Sequence, residues 1–380
     1  MKVRVEISSL ATQHQSGVAS YTRLLTESLA DSTDNTVRGH YFNFLKRQQQ
    51  PQLDNPKIIR EQGVLFPLRV YAKLQSFGVA PPFDMFLPKV NLTILPNFAT
   101  WPTSKSQLTA TVIHDLTYLY YPELVEDANL AHMRRVVPRS IENADIIITV
   151  SESIKAELVK EFKFAPEKCI VTPIPPSTSF SKKIGSSELE KLRDKYNIGQ
   201  KKYIFFMGNF EPRKNLQTLI EAYSRLPESI RNEYRLILAG GKGWKSEKTQ
   251  RALDDAVRGG AGIQHIGYID DIDRPALYQA ASLFVMPSLY EGFGIPVLEA
   301  MLSGCPVVAA DIPVLRETGG NAALYANPTD PADFASVIKK ALHAYPYSKK
   351  EMLDNVNRFS WDRNIGALTK RVDELLGRKS

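Results

Sequence analysis

Two glutamates, Glu291 and Glu299, stand in a segment whose pattern is suited to binding an anion. In residues 286–304, an apolar run leads into a turn with two glycines, and a helical pattern then starts with proline and ends at glycine. The first N–H groups of a helix lack partners within it, and Gly292 and Gly294 let a phosphate approach the backbone. We therefore predict an anion site here, with Glu299 in the first helical turn and both carboxylates facing one cleft. The alternative is a plain helix start at which the helix dipole favours Glu299.

Two adjacent cations, Arg213 and Lys214, follow the apolar run 203–207 and precede the helical pattern 215–226. An isolated Arg–Lys pair is usually solvated surface. The position of this pair, after a strand and just before a helix start, instead indicates a loop that binds a diphosphate.

A histidine, His114, ends the apolar run 109–113 and is followed by Asp115. An isolated histidine is more often structural, but the end of a strand beside a carboxylate favours a site residue. We expect Asp115 to orient the imidazole ring.

Short apolar runs alternate with helical patterns along the whole chain, which predicts parallel sheets covered by helices on both faces. The predicted strands are 2–8, 37–44, 92–95, 109–113, 145–150, 203–207, 234–239, 263–266, 283–286 and 306–309. The predicted helices are 17–30, 127–143, 151–162, 215–226, 273–281, 296–303 and 364–376. Residues 46–90 show no assignable pattern.

A chain of 380 residues predicts about two domains, and the proline-rich stretch 172–177 is typical of a linker between them. Two Rossmann-like halves joined in this way place the carboxyl edges of both sheets at a central cleft.

The formal net charge of +7 suits an anionic substrate or an anionic membrane surface. The sequence lacks the basic stripe with interleaved aromatic residues that is typical of nucleic-acid binding. No apolar run reaches about 18 residues, so we expect no membrane-spanning helix. The two cysteines have no metal-site or disulfide spacing, which fits a cytoplasmic protein. The run from Asp270 to Asp273 invites a metal interpretation, but Asp273 at a helix start is better explained as a cap.

Several of these segments resemble motifs of glycosyltransferase family 4, the retaining enzymes with the GT-B fold. Residues 291–300 match its E-G-F-G-x-P-x-x-E-A string, and residues 208–215 are similar to its G-x-x-E-P-R-K-N loop. The form H-D-L followed by P-E in residues 114–123 resembles bacterial mannosyltransferase-like members. The resemblance departs at Asn209, where many relatives carry arginine, and at Ser16, where they carry glycine.

The resemblance implies a metal-independent, retaining hexosyltransferase of polysaccharide biosynthesis that uses no cofactor. It would move a hexose, with mannose favoured, from a nucleotide-diphosphate sugar to a saccharide or lipid-linked acceptor, with peripheral membrane contact as a further expectation. It also implies that the last helix returns to the first domain, which gives domains of 1–176 plus 360–380 and of 177–359.

The residue roles carried over are these. His114 would hydrogen-bond to the donor sugar, and Glu291 would contact the hydroxyls of that sugar. Glu299 would hold the ribose hydroxyls of the nucleotide. Arg213 and Lys214 would bind the diphosphate. The implied catalytic residues are His114, Glu291 and Lys214, and the implied donor-binding residues are Gly17, Arg213, Lys214, Gly292, Phe293, Gly294, Ile295 and Glu299.

Two other functions stay open: a nucleotide-sugar epimerase of similar fold, and a non-catalytic subunit that binds nucleotide sugars. An NAD-dependent dehydrogenase is disfavoured because no G-x-G-x-x-G follows the first strand. The H-D-L and E-P-R-K-N forms favour GDP-mannose, while UDP-glucose and similar donors remain open.

Overall fold

Two parallel sheets organise the chain in this computed structural model. The structure describes residues 1–11, 17–32, 35–44, 50–51, 53–63, 67–241, 243–245, 247–258 and 262–377. Ser16, where relatives carry glycine, lies outside these ranges. By contacts the chain divides into two units: Met1–Tyr120, Asp127–Ile174 and Ser360–Ser380 form the first, and Tyr121–Glu126 with Pro175–Phe359 form the second.

The first unit contains a parallel sheet in the strand order β3-β2-β1-β4-β5-β6-β7. Its strands are β1 (Lys2–Glu6), β2 (Thr36–Phe42), β3 (Ile59–Gly63), β4 (Val90–Leu95), β5 (Ser106–Ile113), β6 (Ile146–Thr149) and β7 (Cys169–Val171). Its first helices are α1 (Gly17–Asp31), α2 (Leu68–Ser76), α3 (Thr117–Tyr120), α4 (Asp127–Asn143) and α5 (Glu152–Phe162).

The second unit contains a parallel sheet in the strand order β10-β9-β8-β11-β12-β13. Its strands are β8 (Lys202–Met207), β9 (Tyr234–Ala239), β10 (Ile263–Gly267), β11 (Leu283–Met286), β12 (Val307–Ala310) and β13 (Leu324–Ala326). Its helices are α6 (Ser186–Lys195), α7 (Leu216–Ser224), α8 (Glu228–Glu233), α9 (Glu247–Arg258), α10 (Arg274–Ala280), α11 (Ile295–Leu302), α12 (Pro313–Gly319), α13 (Pro331–His343) and α14 (Lys349–Val356).

The last helix, α15 (Trp361–Leu375), belongs to the first unit. It packs against α1 and β7, and Asn364 Nδ2 donates a hydrogen bond of 2.6 Å to the carbonyl of Pro173. The Trp361 ring lies 5.9 Å from the ring of Tyr21 on α1. These contacts bury one face of α15 against elements of the first unit. After the second unit, the chain therefore returns to the first.

The predicted class, two parallel α/β units, is confirmed. Strands such as β6 and β12 are buried along their whole length, as expected for sheets covered on both faces. The contact boundary falls after Ile174, two residues before the expected position 176, and residues 121–126 lie with the second unit. The stretch 46–90, for which no element was predicted, contains β3 and α2. Its many polar residues gave no clear periodic pattern.

Each sheet reverses its direction of growth at one point, between β1 and β4 in the first unit and between β8 and β11 in the second. In open α/β sheets, ligands bind beyond the carboxyl ends of the strands at such a switch point. The loops that follow β8 and β11 are the two segments that sequence analysis selected, residues 208–215 and 287–294.

Charged residues are buried inside the first sheet. Arg4 in β1 is fully buried, and its guanidinium lies 2.8 Å from Glu61 and 3.6 Å from Asp84. Glu6, at the end of the same strand, accepts a hydrogen bond of 2.8 Å from the backbone of Ser8. Burial raises the pKa of Glu6 to about 7. Charged and apolar residues alternate in this segment, yet every residue of β1 after Lys2 is buried.

Candidate functional site

The loops after β8 and β11 are joined by hydrogen bonds. The backbone N–H of Leu289 donates to the carbonyl of Arg213 at 2.8 Å, and Asn215 Nδ2 donates to the carbonyl of Pro287 at 2.9 Å. The two loops therefore form one surface at the switch point of the second sheet.

Glu291 binds both predicted cations on this surface. Its Oε2 lies 2.7 Å from Nη1 of Arg213, and its Oε1 lies 2.6 Å from Nζ of Lys214. Arg213 Nε also donates to Glu211 at 2.9 Å. Glu291, Glu211 and Lys214 are buried, so these are desolvated charges that stabilise one another.

The electrostatic balance keeps Glu291 ionised. Burial by itself would raise the pKa of this carboxyl, but Arg213 and Lys214 outweigh burial and hold its pKa at about 2. Burial lowers the pKa of Lys214, although Glu291 opposes that shift. A ligand that competes with Glu291 for the two cations must therefore itself be an anion.

Asn215 explains how the basic loop takes its shape. Residues Pro212–Lys214 form one 3-10 turn, and Asn215 ends it with a φ of 55° as the residue before α7. Its Nδ2 donates to the carbonyls of Pro287 and Pro328, and its Oδ1 accepts from Thr218. Sequence analysis assigned no role to Asn215, although asparagine is among the residues that tolerate this backbone conformation.

The turn from Gly292 to Ile295 leads into α11. Gly294 has a φ of 100°, and a Cβ there would lie 2.7 Å from Leu315 Cδ2, so the turn requires glycine. The Phe293 ring is buried against Phe359, with ring centroids 5.3 Å apart, so a donor contact by Phe293 would fall to its backbone. Pro296 has no N–H, which reduces the set of donors at this helix start.

Glu299 lies in the second turn of α11, not in the first as expected, because the helix begins at Ile295. Its carboxylate accepts two hydrogen bonds from Nη2 of Arg274, at 2.5 and 2.7 Å, and one from Tyr278 OH at 3.0 Å. Arg274 and Tyr278 were not predicted as site residues, although their spacing of four residues places them on one face of a helix.

The acidic residues before α10 accept hydrogen bonds from neighbouring side chains, most of them basic. Asp273 does not cap the helix as predicted: its side chain accepts from Lys195 Nζ at 2.6 Å and from Tyr196 OH at 2.7 Å. Asp271 accepts from Arg274 at 3.2 Å, and Asp270 from Lys195 at 2.7 Å. Within the described ranges, no group of three or more His, Cys, Asp or Glu side chains is arranged to hold a metal ion.

His114 lies in the first unit at the end of β5. Its Nε2 lies 2.8 Å from the carbonyl oxygen of Pro96, and its ring meets those of Tyr21 and Phe98 edge-on. A carbonyl only accepts hydrogen bonds, so Nε2 carries the proton and, in the neutral ring, Nδ1 is an acceptor. Burial lowers the pKa of His114, which keeps the ring neutral near pH 7.

Asp115 does not orient this imidazole. Its carboxylate accepts hydrogen bonds from the backbone N–H of Thr117 at 3.0 Å and from the Thr117 hydroxyl at 2.8 Å. Asp115 therefore stabilises the start of α3, and the carbonyl of Pro96 fixes His114 instead.

Gly17 is the first residue of α1. A Cβ placed on it would meet no atom within 4 Å among the residues that the structure describes. Packing of the described chain therefore does not account for glycine at this position.

Residues 121–126 lie against the second unit. Trp244 Nε1 donates to the carbonyl of Leu124 at 2.6 Å, and Lys245 Nζ donates to that of Val125 at 2.7 Å. The Tyr121 ring lies 5.5 Å from the ring of Tyr290, the residue before Glu291. Sequence analysis placed this segment in the first domain because nothing local in it signals these distant partners.

The predicted residues thus fall into four groups. Arg213, Lys214 and Glu291 are in direct contact, and residues 292–295 form the turn that leads from Glu291 into α11. Glu299 lies on that helix with its own partners, and His114 and Gly17 belong to the first unit.

Known proteins resemble this chain in sequence. Residues 188–358 match the family described as glycosyl transferases group 1. The chain is 32% identical over 327 residues to O-antigen chain mannosyltransferase B of Escherichia coli, which covers 85% of this chain and 80% of that protein.

Solved structures show the same fold. Sucrose-phosphate synthase from Thermosynechococcus elongatus superposes with a TM-score of 0.74 at 20% identity, covering 99% of both chains. Anabaena HepE, solved in complex with UDP and glucose, superposes with a TM-score of 0.70 at 16% identity, covering 98% of this chain and 100% of that one. These relatives give no support to the epimerase alternative. The chain belongs to the group 1 family of glycosyl transferases and is a glycosyltransferase with the GT-B fold.

Proposed function

We propose that this enzyme transfers mannose from GDP-mannose to a saccharide acceptor, with retention of the anomeric configuration and without a bound metal ion. The observation that carries the proposal is the contact of Arg213 and Lys214 with Glu291 at the switch point of the second sheet. Mannose is supported by the name of the E. coli relative, a mannosyltransferase of an O-antigen chain. The nucleotide diphosphate is supported by HepE, whose structure contains UDP.

The donor diphosphate would compete with Glu291 for the two cations. Arg213 offers a planar set of donors and Lys214 a compact charge, and both suit phosphate oxygens. When phosphate shares these cations, the Glu291 carboxylate becomes available to the hydroxyls of the donor sugar. One buried cluster would then bind the diphosphate and the sugar together.

Fixed cations would take the place that a metal has in other transferases. As the sugar–phosphate bond breaks, negative charge grows on the departing diphosphate, and preorganised positive groups stabilise it. Arg213, Lys214 and the N-terminus of α11 are the groups that this chain offers. The acidic residues of the 270–273 run accept hydrogen bonds from Lys195, Tyr196 and Arg274.

In the proposed reaction the acceptor oxygen attacks C1 of the sugar on the face from which the diphosphate leaves. The bond from C1 to the phosphate oxygen breaks, the bond from C1 to the acceptor oxygen forms, and the leaving phosphate oxygen takes the acceptor's proton. Arg213 and Lys214 hold the Glu291 carboxylate in place, and this fixed geometry favours a positioning role for it over a covalent one. The neutral His114 ring would accept a hydrogen bond from a sugar hydroxyl through Nδ1.

The acceptor would be a saccharide or a lipid-linked saccharide, with peripheral contact to an anionic membrane. The described part of the 46–90 stretch exposes Phe77, Val79 and Phe86, at 60%, 67% and 77%, near the exposed basic residues Arg69 and Lys73. The α4 residues Arg134, Arg135 and Arg139 are also exposed, and Arg135 lies over the Phe77 ring.

The same stretch contains further apolar and basic residues. Tyr71 is fully buried, so it cannot contribute, and Lys46, Arg47, Leu65 and Phe66 lie outside the described residues. Among the residues that the structure describes, no helix is both long and apolar enough to cross a bilayer.

The proposal is tested by incubating the enzyme with GDP-mannose and O-antigen-type mannosides, in buffer with and without excess EDTA. We expect an α-linked product by NMR, because the donor is α-linked, and equal rates with and without the chelator. A β-linked product would contradict retention, and activity restored only by added manganese or magnesium would contradict metal independence. Conversion of the donor without an acceptor would instead support an epimerase.

A further inference from the structure

Two side chains of α10 hold the carboxylate of Glu299. Nη2 of Arg274 lies 2.5 Å from Oε1 and 2.7 Å from Oε2, and Tyr278 OH lies 3.0 Å from Oε2. Arg274 and Tyr278 are four residues apart in one helix and therefore project from the same face. Glu299 is 4% exposed, so it is nearly removed from water.

These contacts leave the Glu299 carboxylate able to accept about one more hydrogen bond. An ionised carboxylate has about four lone-pair directions, and Arg274 and Tyr278 use three of them. Arg274 also supplies the positive charge without which a buried carboxylate would be costly. Burial and the nearby Glu299 raise the pKa of Tyr278 well above its usual value, so its phenol stays protonated and donates.

We propose that Arg274 and Tyr278 are positioning residues that orient Glu299 so that its remaining acceptor direction meets a ribose hydroxyl of the donor nucleotide. This inference rests on the proposed function and on the ribose contact that the family resemblance implies for Glu299. Its consequence is selectivity: an enzyme with this clamp, defined as Arg274, Tyr278 and Glu299, distinguishes a ribonucleotide from a deoxyribonucleotide.

A purely structural role makes a different prediction. If Arg274 and Tyr278 only fasten α10 to α11, their removal lowers the thermal stability and leaves the preference for ribose as it was. The preference for ribose, rather than affinity or activity alone, therefore separates the two roles.

The test is calorimetric binding of GDP, 2′-deoxy-GDP and 3′-deoxy-GDP to the protein, with the UDP series used if GDP does not bind. We expect the wild type to bind at least one deoxy analogue about 10-fold or more weakly, the scale of a hydrogen bond to a charged group. In Tyr278→Phe and Arg274→Met, this ratio should fall to about 3-fold or less. The matched controls are Tyr223→Phe, a buried tyrosine bonded to a carbonyl, and Arg316→Met, an arginine paired with Asp311. Both controls should keep the wild-type ratio.

Glu299→Gln should lose the preference as well, and adding Arg274→Met to it should change the ratio no further. Thermal melts confirm folding, and Tyr278→Phe, which removes a single oxygen, carries the test if Arg274→Met does not fold. A wild-type preference that persists unchanged in both α10 variants overturns the clamp alone. A wild type that binds all three nucleotides equally overturns the ribose contact of Glu299 and the clamp with it.

Discussion

Nζ of Lys214 lies 2.6 Å from Oε1 of Glu291, although the two residues are 77 positions apart in the chain. The contact joins the loop after β8 to the loop after β11, and Arg213 binds the second oxygen of the same carboxylate at 2.7 Å. A phosphate that enters this cluster meets cations that already have a partner. The cluster is therefore held in place by its own ion pairs, and in the proposed function the donor diphosphate would compete with Glu291 for the two cations.

The first prediction concerns the cations. Lys214→Ala should weaken binding of GDP by about 1.5–3 kcal/mol, because a charge-assisted hydrogen bond to phosphate is lost. Isothermal titration calorimetry measures this change. Lys202→Ala, which removes an exposed lysine paired with Glu233, is the control and should bind normally. Unchanged affinity in Lys214→Ala would show that this loop does not bind the diphosphate.

The second prediction separates the two carboxylates by kinetics. Glu299→Ala should mainly raise the donor KM, since a ribose contact is present in the ground state and in the transition state alike. Glu291→Ala should mainly lower kcat, because its contact with the sugar matters most as charge develops at C1. Steady-state rates at varied donor concentration give both constants. Indistinguishable profiles for the two variants would refute this division of roles.

The third prediction contrasts two glycines. Gly294→Ala should lower the free energy of unfolding by about 1–3 kcal/mol, since its φ of 100° and the nearby Leu315 both oppose a Cβ. Gly17→Ala should leave thermal stability unchanged and weaken donor binding, because its Cβ would meet no described atom within 4 Å and would enter space that we assign to the donor. Denaturant titration and calorimetry report the two effects. Normal donor affinity in Gly17→Ala would remove Gly17 from the site.

The fourth prediction concerns pH. The pKa of Glu6 is raised from 4.5 to about 7, so between these values the folded protein keeps a proton that the unfolded chain releases. The contribution of Glu6 to stability is therefore greatest below pH 4.5 and is lost as the pH rises through 7.

Glu6→Gln removes this titration. The free energy of unfolding of the variant, minus that of the wild type, should increase by about 3 kcal/mol between pH 4.5 and pH 8. Urea unfolding at a series of pH values measures the difference, with the exposed Glu142→Gln as the control. A difference that is flat with pH would mean that Glu6 ionises in the folded protein as it does in the unfolded chain.

The fifth prediction concerns the membrane. The protein should co-sediment with anionic liposomes at low salt and be released as the salt concentration rises, because each basic residue at the surface contributes only about 1 kcal/mol. Phe77→Ser and Phe86→Ser should reduce binding, whereas Tyr268→Ser, which changes an exposed aromatic residue of the second unit, should not. Absence of binding to anionic liposomes at low salt would favour a soluble acceptor.

The sequence allowed the sheets and the principal loops to be predicted because their signals are local. Buried strands such as β8 and β11 are short apolar runs, and the E-P-R-K-N and E-G-F-G strings lie within single loops. β3 was missed because its sequence, I-R-E-Q-G, is polar, as an edge strand can be.

The partners of Glu299 were missed for a different reason. Arg274 and Tyr278 lie 25 and 21 residues before it, and only the packing of α10 on α11 brings them together. The burial of Arg4 likewise depends on Glu61 and Asp84, which reach it through the fold and not through the local sequence. Ion pairs between elements that are distant in sequence produce no periodic pattern from which they could be predicted.

The return of α15 to the first unit has a consequence for how the protein is made. The helix that covers α1 and β7 follows every strand of both sheets in the chain, so it leaves the ribosome after all of them. Domains generally fold as units during synthesis. Here the second unit can complete its fold while the first, although begun earlier, still exposes the apolar surface that α15 will cover. The unit that starts first is therefore finished last, and a nascent chain that stalls before residue 361 presents that surface to chaperones.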